Sequence, residues 1–340
     1  VLMQDRMEKG RERLDAALET IALLTDPVIP PKGELEHIHY FCGNTENPDD
    51  LKEREPQRVA LYKAAAGLVR AYANIADDLT SAGYNETRIG QIKDKLTQTL
   101  KLREIIRKAS NESIDLKAYE ADMRHLIDTY IEAAEPRKIS EFGEMGLLEL
   151  IVKGGMDAAV ASLPGGIKGN KAAVAETISN NVRSKIIKEH LNDPAFYDRM
   201  SALLKEILAD LRARRIDYAE FLKRMAALSV QVEKGTADDT PEPLKKSPGL
   251  RAIFNFLERE RKSAEEEVAA ESTHRYDGIN FASTLELAQR IDLDVRTLRP
   301  DGWKGVFTKE REIKSIIHIS VTDPEIVERL FLIIKAQTEY

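Results

Sequence analysis

Two carboxylates and a lysine near the end of the chain have the residue types of a metal-dependent nuclease site. Pro300 and Asp301 precede Glu312 and Lys314, in the loose Pro-Asp…Glu-x-Lys order of such sites. Two carboxylates can hold a divalent ion, and the ion can activate a water for hydrolysis. The motif is short, and it carries little weight without its strand context. We therefore favour a turn at Asp301 and Gly302, with Glu312 and Lys314 on the exposed face of a helix.

His37, His39 and Cys42 carry nitrogen and sulfur ligands of the kind that bind zinc or another soft-ligand metal. A structural zinc site normally needs four ligands, and no fourth histidine or cysteine lies nearby in the sequence. Polar and apolar residues alternate from Glu34 to Phe41, which favours a short edge strand with ordinary side chains. Because a single cysteine permits no internal disulfide, we expect a reducing, cytoplasmic location.

The segment from Gly165 to Lys171 is rich in glycine and precedes a helical pattern, so its backbone N–H groups could meet a phosphate. Its spacing differs from the Gly-x-x-x-x-Gly-Lys-Ser/Thr loop that binds nucleotides, and no predicted strand precedes it. A plain turn between helices is therefore the favoured interpretation. We predict no cofactor for this chain, and we expect it to hydrolyse neither ATP nor DNA by itself.

Six basic residues in two neighbouring helical segments could contact DNA phosphates. They are Arg183, Lys185, Lys188, Arg212, Arg214 and Arg215. Glu189, Asp193, Glu206 and Asp210 are interspersed among them and weaken the basic field, so a solvated helix face is the competing interpretation. The net charge of −7 argues against a protein that coats nucleic acid, although it is compatible with a local basic groove.

These side chains would be positioned by helices, because apolar residues recur at steps of three and four along most of the chain. The clearest case is a long helix that opens at Pro56, a favoured first position. Its heptad seam consists of Leu61, Ala65, Leu68, Tyr72, Ile75 and Leu79. A second stripe beside it consists of Val59, Tyr62, Ala66 and Val69. Two stripes predict a helix packed on two sides at the centre of a bundle.

The predicted fold class is therefore all-α: a multi-helix bundle followed by a smaller helical subdomain, with at most a short strand near residues 34–41. We predict an N-terminal helix and linker over 1–55, the bundle over 56–235, and the subdomain over 249–340. The polar, proline-marked stretch 236–248 is the predicted linker. We assign no structural or functional role to the charged run over 258–276. No apolar run approaches the roughly 20 residues of a membrane span, so no membrane partner is expected.

Several blocks of the sequence carry a resemblance to a known family. They are Ala118–Tyr130, Glu135–Ser140, Leu147–Val152, Gly166–Lys171, Ala173–Ile178, Asn180–Arg183 and Val327–Lys335. In this order they resemble the C-terminal helical region of the restriction (R) subunit of type I restriction–modification enzymes. The resemblance is stronger from Pro56 to Val232 and looser toward the end of the chain.

The resemblance implies a C-terminal fragment of an R subunit, an expectation that fits the absence of an initiator methionine at Val1. It implies that the parent protein uses ATP and Mg²⁺ for DNA translocation and endonucleolytic cleavage, with its nuclease and motor domains upstream. The implied partners are the methylation and specificity subunits, with DNA contacted through the parent complex. The alternative is a standalone helical protein that binds or cleaves nucleic acid through the basic residues or the Asp301, Glu312 and Lys314 trio.

The subdomain over 249–340 is the predicted element that docks on the methyltransferase core. Its final helix opens at Pro324 and carries more apolar surface than one stripe requires. The candidate docking residues are Trp303, Ile326, Leu330, Phe331 and Ile334. The competing interpretation is that all of these side chains are internal core, with Trp303, the only tryptophan, as its anchor.

Overall fold

The computed structural model describes residues 2–44, 47, 49–112, 145–237, 240–270 and 281–340. Fifteen α-helices and no β-strand lie within these ranges, so the all-α prediction is confirmed. The blocks Ala118–Tyr130 and Glu135–Ser140, and the end of the charged run, lie outside the described residues.

The described helices range from 4 to 25 residues in length. The first seven are α1 (Leu2–Thr25), α2 (Glu34–Cys42), α3 (Asp50–Glu53), α4 (Glu55–Ala73), α5 (Glu86–Ser110), α6 (Leu147–Ser162) and α7 (Gly165–Lys168). The next four are α8 (Lys171–Glu189), α9 (Pro194–Arg212), α10 (Tyr218–Lys234) and α11 (Glu242–Lys245). The last four are α12 (Pro248–Ala270), α13 (Phe281–Leu298), α14 (Phe307–Ser320) and α15 (Pro324–Ala336).

The predicted edge strand over 34–41 is wrong, because this segment is helix α2. Ile38, Phe41 and Cys42 are its buried residues, and their three- and four-residue spacing places them on one helical side. Glu34 and Glu36 lie in the first turn, where carboxylates complement the helix dipole. The α2 helix packs against α4 and α5, and this tertiary burial selects the helix over the strand.

Helix α4 is buried along both predicted stripes except at Val59, which is half-buried. Every residue of the heptad seam is buried, from Leu61 at 0% exposure to Leu79 at 4%. The helix itself ends at Ala73, and a 3₁₀ turn at Ala76–Asp78 carries the seam onward. Packing against α1, α2 and α5 covers the helix on more than one side.

Contacts divide the chain into two compact units, which we describe separately. The first comprises residues 1–184 and 216–226, and the second comprises 185–215 and 227–340. Part of the predicted linker over 236–248 forms the short helix α11, whose Leu244 is 1% exposed in the core of the second unit. The predicted domain boundaries stay predictions.

The second unit is organised around α12, which contacts α9, α11, α13 and α15. Its buried apolar residues are Leu250, Ala252, Ile253, Phe254, Phe256 and Leu257. The charged run begins in the C-terminal half of this helix, where Arg261 donates a 2.6 Å hydrogen bond to Glu258. The described part of the run is therefore the polar continuation of a core helix.

Candidate functional site

The predicted DNA-contacting residues have different environments. Arg183 is 5% exposed within the first unit, so its guanidinium is not a surface cation. In the second unit, the Lys185 ammonium lies 3.6 Å from Glu189 and 3.7 Å from Glu233, while Lys188 is exposed. DNA contact by these three residues stays a prediction, and only Lys188 among them is exposed.

Arg212, Arg214 and Arg215 lie at the end of α9 and beyond it, and all three are exposed. The Arg215 Nε lies 3.2 Å from the Asp210 carboxylate, which partly neutralises its charge. Arg214 has a φ of 54°, in the left-handed region that often ends a helix. This helix end remains a candidate contact for phosphates.

The three residues of the nuclease-like trio have separate environments. Asp301 is exposed in a turn with Gly302, whose φ of 58° suits a glycine. Glu312 is exposed on α14, and the Lys314 ammonium instead donates to Glu328 of α15 at 2.7 Å. Across the described residues, no group of three or more His, Cys, Asp or Glu is placed to hold a metal ion.

His37, His39 and Cys42 also have separate surroundings. The His37 Nδ1 lies 2.7 Å from the Gly33 carbonyl, whereas the His39 Nε2 lies 3.4 Å from the Glu176 carboxylate. Cys42 is 1% exposed, and burial raises the pKa of its thiol to about 12. Of the three residues, only Cys42 is buried, and both histidines are half-buried.

Most of the predicted docking residues lie in the core of the second unit. Trp303 and Phe331 are each 3% exposed with ring centroids 6.0 Å apart, and Leu330 and Ile334 are fully buried. Ile326 is partly buried against the same cluster. Burial against α12 and α14 favours the core interpretation for these residues, and docking through them stays a prediction.

The sequence reasoning missed a polar cavity of about 260 Å³ in the second unit. Residues from the ends of α8 and α10, the start of α9, the start of α12 and the segment around the end of α15 line it. The lining residues are Lys185, Glu189, Asn192, Asp193, Tyr197, Glu233, Lys234, Gly235, Pro248, Arg251, Ala336, Gln337 and Thr338. We call this feature the α12 pocket.

Asp193 holds one wall of the α12 pocket in place. Its Oδ1 accepts from the Phe196 N–H at 3.1 Å, which caps the first turn of α9. Its Oδ2 accepts a 2.7 Å hydrogen bond from Asn255 of α12. Burial raises the pKa of this carboxyl, and the two hydrogen bonds and Arg251 partly oppose that shift. The aspartate thus joins the start of α9 to α12.

Arg251 lies on the first turns of α12 and is only 8% exposed. Its Nη1 donates to the Leu244 carbonyl at 3.3 Å. Its Nε lies 4.0 Å from the Asp193 Oδ2 and makes no hydrogen bond. No hydrogen bond of its Nη2 is found among the residues that the structure describes. This buried guanidinium therefore has unused donors.

Tyr197 and Gly235 form the part of the pocket next to the Arg251 guanidinium. A Cβ on Gly235 would lie 3.4 Å from the Arg251 Nη2 and 3.5 Å from the Tyr197 hydroxyl. Gly235 follows α10 with a φ of 65°, the left-handed conformation that ends many helices. Burial, reinforced by Glu189 and Asp193, raises the pKa of Tyr197, so its hydroxyl remains a proton donor.

Comparisons with protein-family models, with curated proteins and with solved structures give no match to this chain. A search of the described helices finds none that combines the length and the apolar character needed to cross a membrane.

Proposed function

We propose that this chain is a helical docking scaffold, the C-terminal region of a type I restriction R subunit that attaches the subunit to its methyltransferase core. The observation that carries the proposal is the ordered series of sequence blocks that resemble that region. By this proposal the ATP and Mg²⁺ sites, the DNA translocation and the cleavage belong to parent domains upstream.

The positions of the described blocks support a scaffold role. Leu147–Val152 opens α6, and Ala173–Ile178 and Asn180–Arg183 lie within α8. Every residue of those two α8 blocks except Glu176 is buried. A helix buried on all sides belongs to the framework of a bundle. The two α8 blocks therefore consist mainly of residues that shape the scaffold, whereas four of the six residues of the block Gly166–Lys171 are exposed. A partner would contact exposed residues.

Among the described residues, the surface that best fits such a partner is one side of α14 together with Leu298. We call this surface the α14 face. Leu298 and Ile316 line the same shallow cavity, together with Thr308, Arg311, Glu312 and Ser315. Phe307 is 80% exposed and Ile319 is 72% exposed. Helical spacing places Phe307 one turn before Arg311 and Ile319 one turn after Ser315. Apolar side chains among polar ones are typical of a protein interface.

Surface substitutions in the complete R subunit test this proposal. Phe307→Asp combined with Ile319→Asp places two charges on the α14 face without touching the core, so we expect weaker co-purification with the methylation and specificity subunits. Leu191→Asp is the matched control, because Leu191 is also in the second unit and is 73% exposed.

The expected loss is about tenfold or more in affinity, the scale of a central interface residue. Circular dichroism should show that both variants keep their helical content. Equal co-purification of the double variant, the control and the parent subunit would show that the α14 face does not dock. If no R subunit that contains this region co-purifies with the core, the docking role itself is wrong.

A further inference from the structure

The α12 pocket contains a buried cation whose carboxylate partner, Asp193, lies at the long distance of 4.0 Å and makes no hydrogen bond to its Nε. A guanidinium remains charged in proteins, and burial of an unpaired charge is costly. The first unit shows the usual solution at Arg58, which is 3% exposed and places its Nε 2.7 Å from the Glu112 carboxylate. Arg251 is similarly buried, yet the Asp193 carboxylate lies 4.0 Å from its Nε.

The carboxylates that line the pocket are already bonded to other groups. Asp193 accepts from Phe196 and Asn255, as described above. Glu189 accepts a 2.6 Å hydrogen bond from Asn192 and lies 3.6 Å from the Lys185 ammonium. Glu233, the third carboxylate of the lining, lies 3.7 Å from the same ammonium. The three charges are thus partly satisfied by other groups, and the Arg251 Nη2 is left without a partner in the described part of the chain.

The Tyr197 hydroxyl also has no hydrogen-bond partner among the described residues. It and the Arg251 Nη2 both lie within 3.5 Å of one point, the position that a Cβ on Gly235 would occupy. Lys234 lines the same cavity and makes no ion pair that the described ranges contain. Two or three hydrogen-bond donors therefore border one small space, which stays open because Gly235 has no side chain.

We infer that the α12 pocket binds a small ligand through an oxyanion, a carboxylate or phosphate group held by Arg251 and Tyr197. Arginine suits this role because its planar donors match both groups, and a hydrogen bond to an ionised partner is about twice as strong as a neutral one. The volume of about 260 Å³ lies just below the range of drug-sized ligand sites, so the ligand is small. This inference is independent of the docking role.

Thermal unfolding of the complete chain in the presence of inorganic phosphate or acetate tests the inference. Sodium chloride at equal ionic strength is the reference, because salts also change stability without binding a site. Each anion that binds the native pocket raises the unfolding midpoint in a concentration-dependent manner. Phosphate and acetate are separate arms: a response to only one identifies the preferred oxyanion, and responses to both show that the site accepts either group.

Two variants locate the effect in the pocket. Tyr197→Phe removes one donor and keeps the ring, and Arg251→Gln removes the charge; we expect each to weaken anion binding by about tenfold. Arg259→Gln is the matched control, because Arg259 lies on the same helix and pairs with Asp198 at 2.9 Å outside the pocket. The unfolding midpoint of the Arg259→Gln variant should rise with phosphate or acetate as much as that of the parent chain.

The inference fails if neither anion raises the midpoint of the parent chain above the chloride reference. It also fails if Tyr197→Phe, which preserves the shape of the core, responds as strongly as the parent. If Arg251→Gln does not fold, Tyr197→Phe decides the matter alone. These unfolding measurements say nothing about co-purification with the methyltransferase core. The oxyanion inference and the docking proposal can therefore fail independently.

Discussion

The surroundings of Cys42 show how burial controls the chemistry of a single side chain. The thiol is 1% exposed, and its removal from water raises its pKa to about 12, an effect that the nearby Arg58 only partly opposes. The thiolate is the form that reacts with disulfides and alkylating reagents. At neutral pH the native protein therefore contains almost no reactive form of this cysteine.

We predict that native Cys42 reacts with a disulfide reagent at pH 8 at least about 100-fold more slowly than the guanidinium-unfolded chain, because the raised pKa depletes the thiolate. Stopped-flow or manual absorbance measurements of thiol release give both rates. A native rate close to the unfolded rate would mean that Cys42 is accessible and that the packing of α2 against α4 and α5 does not cover it.

Single residues were predictable where their role depends on their own chemistry and local spacing. Asp301 and Gly302 form the predicted turn, and Trp303 lies in a core as the anchor interpretation requires. Arg251 could not be predicted as a site residue. Its importance comes from burial, and in the sequence it is one basic residue among 51 lysines and arginines.

At the scale of helices, α4 gives the sharpest stability prediction. Leu68 is fully buried on its heptad seam in the core of the first unit. We expect Leu68→Ala to lower the free energy of unfolding by about 2–5 kcal/mol, the usual cost of a leucine-sized cavity. Denaturant titration followed by circular dichroism measures the change.

Leu23→Ala is the control for this prediction, because Leu23 lies on α1 and is 68% exposed. A surface change of this kind should alter the free energy of unfolding by no more than about 0.5 kcal/mol. An unchanged midpoint and slope for Leu68→Ala would show that this residue is not buried in solution.

The contrast between α2 and α4 explains which helices the sequence could predict. The stripes of α4 extend over about four turns, and only a helical period fits so many residues. The segment of α2 has 9 residues, and its alternation fits a strand as well as a helix. Packing against α4 and α5 decides between the two, and that information is absent from the local pattern.

At the scale of the whole molecule, the α12 pocket is discontinuous in sequence. Its residues come from five segments between Lys185 and Thr338, so no motif of fixed spacing could identify it. The same holds for the compact units, since the contact division falls within α8 and α10 and each unit combines separate stretches of chain. The all-α class was predictable because it depends only on local periodicity.

The fold of the second unit also decides how docking should be tested. A truncation near Pro243 would remove α12, and α12 packs against α9 and contributes much of the core. Such a truncation would expose apolar surface on the remaining helices, and a loss of binding could reflect unfolding. Intact chains with surface substitutions, or the complete chain as a competitor, avoid this ambiguity.

Competition is the sharpest test of the proposed docking role. A labelled complete R subunit is bound to the purified methyltransferase core, and the unlabelled chain is added in increasing amounts while fluorescence anisotropy reports the bound fraction. If the chain carries the docking surface, it displaces the R subunit in a saturable manner, and the combined Phe307→Asp and Ile319→Asp variant does so about tenfold less well. If the folded chain displaces none of the R subunit even in large excess, the docking surface lies elsewhere and the proposed function is contradicted.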